Sequence, residues 1–148
     1  MKLNEVAATP KKAGFIPYAR EGDKLLFMFM KSSDASFGGN APMIAKGNID
    51  PGETPKEAAI REAEEELGLV RANLKTATVK EVWRGELTGQ TESYVMVIYA
   101  GEVKDKNNFT KPHYETESVH WMTNKEFQSK GKTLQRQIVS QAYSKIAS

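Results

Sequence analysis

The chain has 148 residues, with 21 lysines and arginines against 19 aspartates and glutamates, a formal net charge of +2 and no cysteine. The length suits one domain that buries its own core, so we expect residues 1–148 to form a single domain. The composition excludes a disulfide framework and a thiolate metal site. We expect His113 and His120 at the surface. With only these two histidines, a histidine-based zinc site is not expected.

Charge and hydropathy also bear on partners and location. A net charge of +2 argues against a nucleic-acid surface built by bulk electrostatics. Residues 1–14 lack the continuous apolar stretch of a signal peptide, and no apolar run approaches the roughly 20 residues of a membrane span. We therefore expect a cytoplasmic protein without a membrane partner.

The first predicted elements are two strands that form a hairpin. Residues 13–18 and 24–31 are rich in apolar and aromatic residues, and the sequence Glu-Gly-Asp at 21–23 predicts the turn between them. Pro17 has no N–H to donate to a ladder, so we expect an edge position or a bulge there.

A loop and a helix come next along the chain. Residues 32–42 are turn-forming throughout, and a short strand is predicted at 43–46. Thr54 with Glu57 three residues later forms a capping box before the helix, and Pro55 occupies the favoured first helical position. Glycine followed by leucine at 68–69 predicts a left-handed cap after about three turns.

Three carboxylates share one face of this helix. At about 100° per residue, Glu62, Glu65 and Glu66 fall in one sector, next to the apolar sector. Glu62 and Glu66 are four residues apart, a like-charge spacing that costs about 0.2 to 0.5 kcal/mol in an isolated helix. A bound cation would offset this repulsion, and hard oxygen ligands select Mg²⁺ or Mn²⁺. A solvated acidic surface helix is the alternative.

The remaining elements alternate strands with one long helix. Strands are predicted at 76–85 and 93–103, with a turn around residues 88–90, and a short strand at 119–122. Apolar residues every fourth position predict an amphipathic helix over 133–146. Strands interleaved with two helices predict an α/β fold, a mixed sheet covered on both faces.

The stretch from Gly47 to Leu69 resembles the Nudix box, the signature of the Nudix hydrolase family. Its fixed positions are filled by Gly47, Glu53, Arg61, Glu62, Ala63, Glu65, Glu66, Gly68 and Leu69. The one soft fit is Ala63, where a larger aliphatic residue is usual. A motif of this length in a loop and helix context is specific. The resemblance implies the Nudix-type α/β/α sandwich and a nucleotide pyrophosphohydrolase.

The resemblance also implies roles for the residues of the box. Glu62, Glu65 and Glu66 correspond to the carboxylates that bind Mg²⁺, for which Mn²⁺ is a substitute. Arg61 corresponds to the residue that orients one of them, and Glu53 to a residue that supports the loop or a metal-bound water.

Further ligands and the base lie outside the helix. The family uses a main-chain carbonyl just before the box, which is that of Lys46 here. Many members add a glutamate six residues before a tryptophan, a spacing that Glu115 and Trp121 show, with Glu117 as the near alternative. The alternative is that both glutamates belong to an ordinary polar loop. Glu62 and Glu115 are our candidates for the general base.

Candidate substrate-binding residues are chosen by chemistry, since nucleobases stack on aromatic rings and phosphates pair with cations. The candidates are Phe37, Trp83, Tyr94 and Tyr114 for stacking, and Arg20, Lys31 and Arg84 for phosphate. For each aromatic residue, a place in the core is the alternative. We assign Phe27 and Trp121 to the core.

We therefore expect a metal-dependent hydrolase of a phosphoanhydride bond in nucleoside diphosphate derivatives, acting as a monomer or homodimer. Dinucleoside polyphosphates and nucleoside triphosphates are the first candidate substrates. An ADP-ribose or NAD-type hydrolase and an RNA 5′-end pyrophosphohydrolase are alternatives, and we expect no other nucleic-acid partner. A non-catalytic nucleotide-sensing module is a further alternative, although such modules typically lose box glutamates.

Overall fold

The computed structural model of the protein describes residues 9–32, 40–113 and 115–147. Two of the candidate substrate-binding residues, Phe37 and Tyr114, lie outside the described residues.

A six-stranded mixed sheet forms the centre of the molecule. Its strands are β1 (Lys12–Glu21), β2 (Lys24–Ser32), β3 (Ala45–Asn48), β4 (Lys80–Thr88), β5 (Ser93–Glu102) and β6 (Thr116–Thr123). They lie in the order β4-β5-β1-β2-β6, and β3 pairs with β1 beyond the end of the β1–β2 pairing. The β1–β5 pair is parallel and the other pairs are antiparallel. The predicted hairpin is confirmed as β1–β2, with Gly22 in its turn at φ 64°.

Of the two expectations for Pro17, an edge position or a bulge, the edge position is wrong, because β1 is central and has partners on both sides. On one side β5 pairs with residues 12–18 of β1. On the other, β3 pairs with residues 12–15 and β2 with residues 18–21. Pro17 lies between these last two ranges, where the strand changes partner. A missing N–H is tolerated at such a junction because the ladder is interrupted there.

Three α-helices complete the described fold: α1 (Pro55–Leu67), α2 (Asn124–Lys130) and α3 (Thr133–Ala147). The predicted box helix and the C-terminal helix are confirmed as α1 and α3. The strand predicted from residue 76 instead starts at Lys80, because Thr76–Thr78 forms a 3-10 turn. The sequence analysis missed α2, although Thr123 and Glu126 at its start form a capping box that could have revealed it.

The helices cover the two faces of the sheet and create two apolar cores. α1 buries Ala59, Ala63 and Leu67 against one face, and α2 and α3 cover the other, where the rings of Phe29 and Phe127 lie 4.1 Å apart between centroids. The predicted α/β/α layering is therefore confirmed. None of the described helices combines the length and the apolar character that a membrane crossing requires.

The two aromatic residues assigned to the core differ in burial. Phe27 is fully buried. Trp121 is half-buried, packs edge-to-face on Phe109 and donates its indole N–H to the carbonyl of Lys106 at 3.1 Å. Trp121 thus also holds the connection between β5 and β6 against the sheet.

Candidate active site

The turn before α1 places the helix start as the sequence predicts. Gly52 takes φ 86°, a left-handed conformation that favours glycine, and Thr54 caps the helix. The Thr54 hydroxyl accepts from the Glu57 N–H at 3.1 Å, and the Glu57 carboxylate accepts from the Thr54 N–H at 2.8 Å. This capping box fixes where the helix begins, and therefore which side chains face the site.

The C-terminal end of α1 is held by the connection between β5 and β6. Gly68 takes φ 77° and ends the helix. The last carbonyls of a helix lack intrahelical partners. Here the Gly68 carbonyl accepts from the N–H of Thr110 at 2.8 Å, that of Glu65 from the N–H of His113 at 2.7 Å, and that of Glu66 from the hydroxyl of Thr116 at 2.8 Å.

The three predicted carboxylates line one cleft. Glu62 is buried, Glu66 is half-buried and Glu65 is exposed. The pKa of Glu66 is raised to about 8, first by burial, then by the charge of Glu62 and a hydrogen bond with it. Two contacting carboxylates cannot both stay ionised cheaply, so this pair holds either a proton or a cation.

The backbone of β3 forms the other wall of this carboxylate pair. A Cβ on Gly47 would lie 2.4 Å from the Glu62 carboxyl group, so the glycine lets the carboxylate rest on the bare main chain. The N–H of Lys46 donates to Glu66 at 3.2 Å. The Lys46 backbone, whose carbonyl is the predicted further metal ligand, therefore lies beside Glu66.

Arg61 connects the turn to the carboxylate face. Its guanidinium donates to both oxygens of Glu53, at 2.7 and 3.0 Å, and to Glu62 at 3.0 Å. It also donates to the Asn48 carbonyl at 3.0 Å. This pairing raises the pKa of Arg61 and, together with the N–H of Asp50, lowers the pKa of Glu53. Arg61 is thus placed to orient Glu62, while Glu53 supports the turn.

The distant glutamate of the sequence analysis reaches the same cleft. Glu62, Glu65, Glu66, His113 and Glu115 together line a concavity of about 400 Å³. Glu115 is exposed, and its carboxylate lies 3.3 Å from Nδ1 of His113. His113 was expected at the surface and not as a catalyst. His113 is exposed, but it lines the cleft because its backbone N–H donates to the carbonyl of Glu65 at the end of α1.

The residues fit a hard divalent cation, although their side chains do not yet converge. No three Asp, Glu or His side chains within the described ranges already form a cluster able to hold a metal ion. Glu65 pairs instead with the Arg61 guanidinium at 3.4 Å, and about half of its side chain is exposed. The contacting oxygens of Glu62 and Glu66 beside bare backbone are the ligand type that Mg²⁺ prefers.

Among the described substrate-binding candidates, Tyr94 shares a cavity with Lys46, whose backbone contacts Glu66. It lines a cavity on the opposite face of the sheet, together with the side chains of Lys12 and Lys46. The ammonium group of Lys12 lies 5.2 Å from the centre of the Tyr94 ring. Neither lysine side chain nor this cavity was predicted from the sequence, since the strands that meet there are distant along the chain.

Three other candidates are placed elsewhere. Trp83 lines a separate groove of about 560 Å³ beside α3, and Arg84 pairs with Glu81 at 2.9 Å. Arg20 donates to the carbonyl of Ile146 at the far end of α3. Ala13 of β1 pairs with Gly47, and Arg20 follows Ala13 by seven residues. At the rise of a strand, Arg20 therefore lies about 23 Å along β1 from the residue that pairs with Gly47. The role of Arg20 in binding substrate phosphate stays a prediction.

Known proteins resemble this chain in sequence along most of its length. A family model described as the NUDIX domain matches residues 9–142. A bis(5′-nucleosyl)-tetraphosphatase (asymmetrical) of Mus musculus is 31% identical over 98 residues, 65% of this chain and 63% of that protein. An RNA pyrophosphohydrolase of Erythrobacter litoralis is 32% identical over 107 residues, 63% of each chain. The chain thus spans less than two thirds of the length of these relatives.

Solved structures share the fold. An Ap4A hydrolase of C. elegans, solved as a binary complex, superimposes with a TM-score of 0.74 at 16% identity, covering 94% of this chain and 98% of the other. A Nudix hydrolase from M. smegmatis gives a TM-score of 0.72 at 16% identity, covering 95% of this chain and 87% of the other. At such identities the likeness establishes the fold alone.

Proposed function

The chain belongs to the Nudix hydrolase family, and we propose that it hydrolyses a phosphoanhydride bond in a nucleoside diphosphate derivative with Mg²⁺, for which Mn²⁺ is a substitute. The observation that carries this proposal is the contact between Glu62 and Glu66 against the bare backbone at Gly47. This arrangement concentrates negative charge at a spot that a divalent cation would neutralise.

The chain's own residues would act on the substrate by position and charge. Bound Mg²⁺ would neutralise the diphosphate and lower the pKa of an attacking water. Glu62, Glu65, Glu66 and the Lys46 carbonyl are the groups proposed to hold it. Glu115 lines the same cleft and, with Glu62, is the candidate to accept a proton from water. Arg61 keeps Glu62 oriented through its 3.0 Å bond.

For the substrate we propose dinucleoside polyphosphates first and nucleoside triphosphates second. The mouse relative is named for a dinucleoside tetraphosphate, and the C. elegans structure with the same fold is an Ap4A hydrolase. The RNA pyrophosphohydrolase relative keeps RNA 5′ ends as the alternative. Every box glutamate is retained, which argues against a module that senses a nucleotide without cleaving it. Cytoplasmic location and monomeric or dimeric assembly stay predictions.

The test is a hydrolysis screen over dinucleoside polyphosphates, nucleoside triphosphates, ADP-ribose, NADH and triphosphorylated RNA, with Mg²⁺ or Mn²⁺. Running it in ¹⁸O-labelled water locates the attacked phosphorus, because the label enters the product that receives the water oxygen. We expect release of a nucleotide from at least one dinucleoside polyphosphate. Inertness of the folded protein toward every compound would contradict the proposal.

A matched pair of variants tests the carboxylate site. Glu66→Gln removes a charge from the contacting pair and should lower kcat by at least about 100-fold, the scale expected when a charge-stabilising group is lost from an active site. Glu64→Gln changes the same chemical group on the same helix, where Glu64 pairs with Arg71 at 3.2 Å, outside the cleft. That variant should keep wild-type turnover. Equal activity of the two variants would contradict the assignment of Glu66 to the metal-binding carboxylates.

A further inference from the structure

A second, smaller cavity lies on the face of the sheet opposite α1, where β3 and β5 meet α3. It has a volume of about 160 Å³. Apolar side chains form most of its wall, including those of Ile44, Met96, Ile98 and Ile138. Drug-sized ligands fill pockets of about 300 Å³ or more, so this cavity suits one ring system and not a whole nucleotide. An apolar slot of this size suits the flat face of a heterocycle.

The polar side chains around this cavity are dominated by donors. Lys12 and Lys46 contribute ammonium groups, which can only donate hydrogen bonds. Lys12 also lies over the face of the Tyr94 ring, so these two residues form one side of the opening. A ligand edge that offers acceptors is favoured beside them, and an edge that offers N–H groups is not.

Gln135 of α3 is oriented by the main chain of residue 44. The N–H of Ile44 donates to Oε1 of Gln135 at 2.8 Å. A backbone N–H can only donate, so the amide oxygen must be the atom facing Ile44, and the orientation of the amide follows from chemistry. Nε2 of Gln135 has no hydrogen-bond partner within residues 9–32, 40–113 and 115–147. The group that Gln135 can offer to a ligand is therefore a donor.

We propose that this cavity binds the nucleobase of the substrate and selects a 6-oxopurine, the guanine type of base, over adenine. A 6-oxopurine presents two acceptors, O6 and N7, on one edge, whereas adenine replaces O6 with an amino donor. Lysine is a common partner of the O6 and N7 pair. The Gln135 amide and the lysines together match that edge, and the amino group of adenine would meet Nε2 donor to donor.

Lys46 connects the cavity with the carboxylates. Its side chain lines the cavity, while its backbone N–H bonds to Glu66. Its ammonium group also lies close enough to Glu62 and Glu66 to interact with both charges. A base in the cavity would thus project its ribose and phosphates toward the carboxylate cleft. This inference rests on the proposed function for its choice of a nucleotide, but its test does not need turnover.

The test is direct binding of GMP, IMP and AMP to the whole protein by calorimetry, in EDTA so that no hydrolysis or metal binding contributes. IMP and AMP both lack the 2-amino group, so their comparison isolates the edge that Gln135 faces. We expect GMP and IMP to bind about tenfold or more tightly than AMP, the discrimination that one base-edge pair provides.

Gln135→Glu is the informative variant, and Gln137→Glu on the same helix is its control. The glutamate keeps an oxygen for the Ile44 N–H and replaces Nε2 by an acceptor, so the preference for IMP over AMP should vanish or reverse. Gln137 is exposed and lies outside this cavity, so its variant should keep the wild-type ratio. A ratio of two affinities within one protein cancels any general loss of stability.

The outcomes separate this inference from the proposed function. Wild-type protein that binds AMP as tightly as IMP, or a ratio unchanged in Gln135→Glu, would overturn the base assignment. Hydrolysis without any base preference would overturn the inference and leave the proposed function standing. Selective binding of GMP and IMP by a protein that cleaves no substrate would support the inference and overturn the proposed function.

Discussion

At the scale of single residues, the site depends on contacts that leave no room for a side chain. Gly47 lies against the Glu62 carboxyl group, and Gly68 ends α1. A Cβ on Gly47 would collide with the Glu62 carboxyl group, and one on Gly68 would lie 1.9 Å from the carbonyl oxygen of Thr110. Both glycines are fixed positions of the box, and the structure gives each a physical reason: one admits a carboxylate, the other a crossing main chain.

We predict that Gly47→Ala lowers turnover at least about tenfold while the protein still folds. The added methyl group displaces the carboxyl group of Glu62, the far end of a flexible side chain, from its place on the β3 backbone, so the site changes while little unfolding free energy is lost. Steady-state kinetics with Mg²⁺ and urea unfolding measure the two effects. A variant with wild-type kcat would show that catalysis does not depend on the position of the Glu62 carboxyl group against Gly47.

Gly22→Ala is the control for this substitution. Gly22 has φ 64° in the β1–β2 turn, and a Cβ there meets no atom within 4 Å. We expect it to lose about 1 to 2 kcal/mol of stability through backbone strain, with no change in turnover. The two glycines therefore separate loss of stability from loss of the site.

At the scale of elements, hydrogen bonds join the end of α1 to the connection between β5 and β6. Helix carbonyls that would otherwise lack partners accept from Thr110, His113 and Thr116. Asn73 holds the start of the same connection through the carbonyls of Asp105 and Asn108, at 2.8 and 2.9 Å. Because Glu115 directly precedes Thr116, these bonds set the distance between Glu115 and the carboxylates of α1.

We predict that Thr116→Val lowers kcat more than it changes KM, and that Thr116→Ser restores it. Valine keeps the shape but removes the hydroxyl that donates to the Glu66 carbonyl. The unpaired carbonyl should cost about 1 to 3 kcal/mol in urea unfolding, and Glu115 loses its anchor. If valine and serine variants have the same kcat, the hydroxyl does not position Glu115.

At the scale of the whole molecule, the carboxylate pair opposes folding whenever both groups are ionised. The pKa of Glu66 is about 8 in the folded protein, against an ordinary value of 4.5. A group whose folded pKa is raised contributes stability that is fully present below the unfolded pKa and is lost as the pH rises through the folded value. The free protein should therefore lose stability between about pH 4.5 and pH 8 through this group.

We predict that Glu66→Gln removes this pH dependence and is more stable than the wild type at pH 8 in EDTA. The difference in unfolding free energy should shrink as the pH falls toward 4.5, where both proteins carry a neutral side chain. Added Mn²⁺ should reverse the order at pH 8, because a ligand of the folded state stabilises only the protein that binds it. Thermal unfolding across this range measures both effects, and parallel pH profiles without metal would contradict the first.

Features with local causes could be predicted from the amino-acid sequence. The capping box at Thr54 and the glycine at residue 68 bound α1, and the spacing of Glu62, Glu65 and Glu66 places them on one face of it. Helix caps and side-chain faces depend on residues within about one turn of each other, so both can be predicted from a short stretch of sequence.

Features that depend on residues far apart along the chain emerged only in the folded structure. It placed β1 at the centre of the sheet despite Pro17, set Arg20 beside the carbonyl of Ile146 and brought His113 to the cleft. It also set Gln135 against Ile44, which lies 91 positions earlier. Strand order and helix docking arise from the burial of whole faces in a shared core, and no local pattern records which partners meet there. The acidic face could thus be predicted, whereas the cavity proposed to select the base could not.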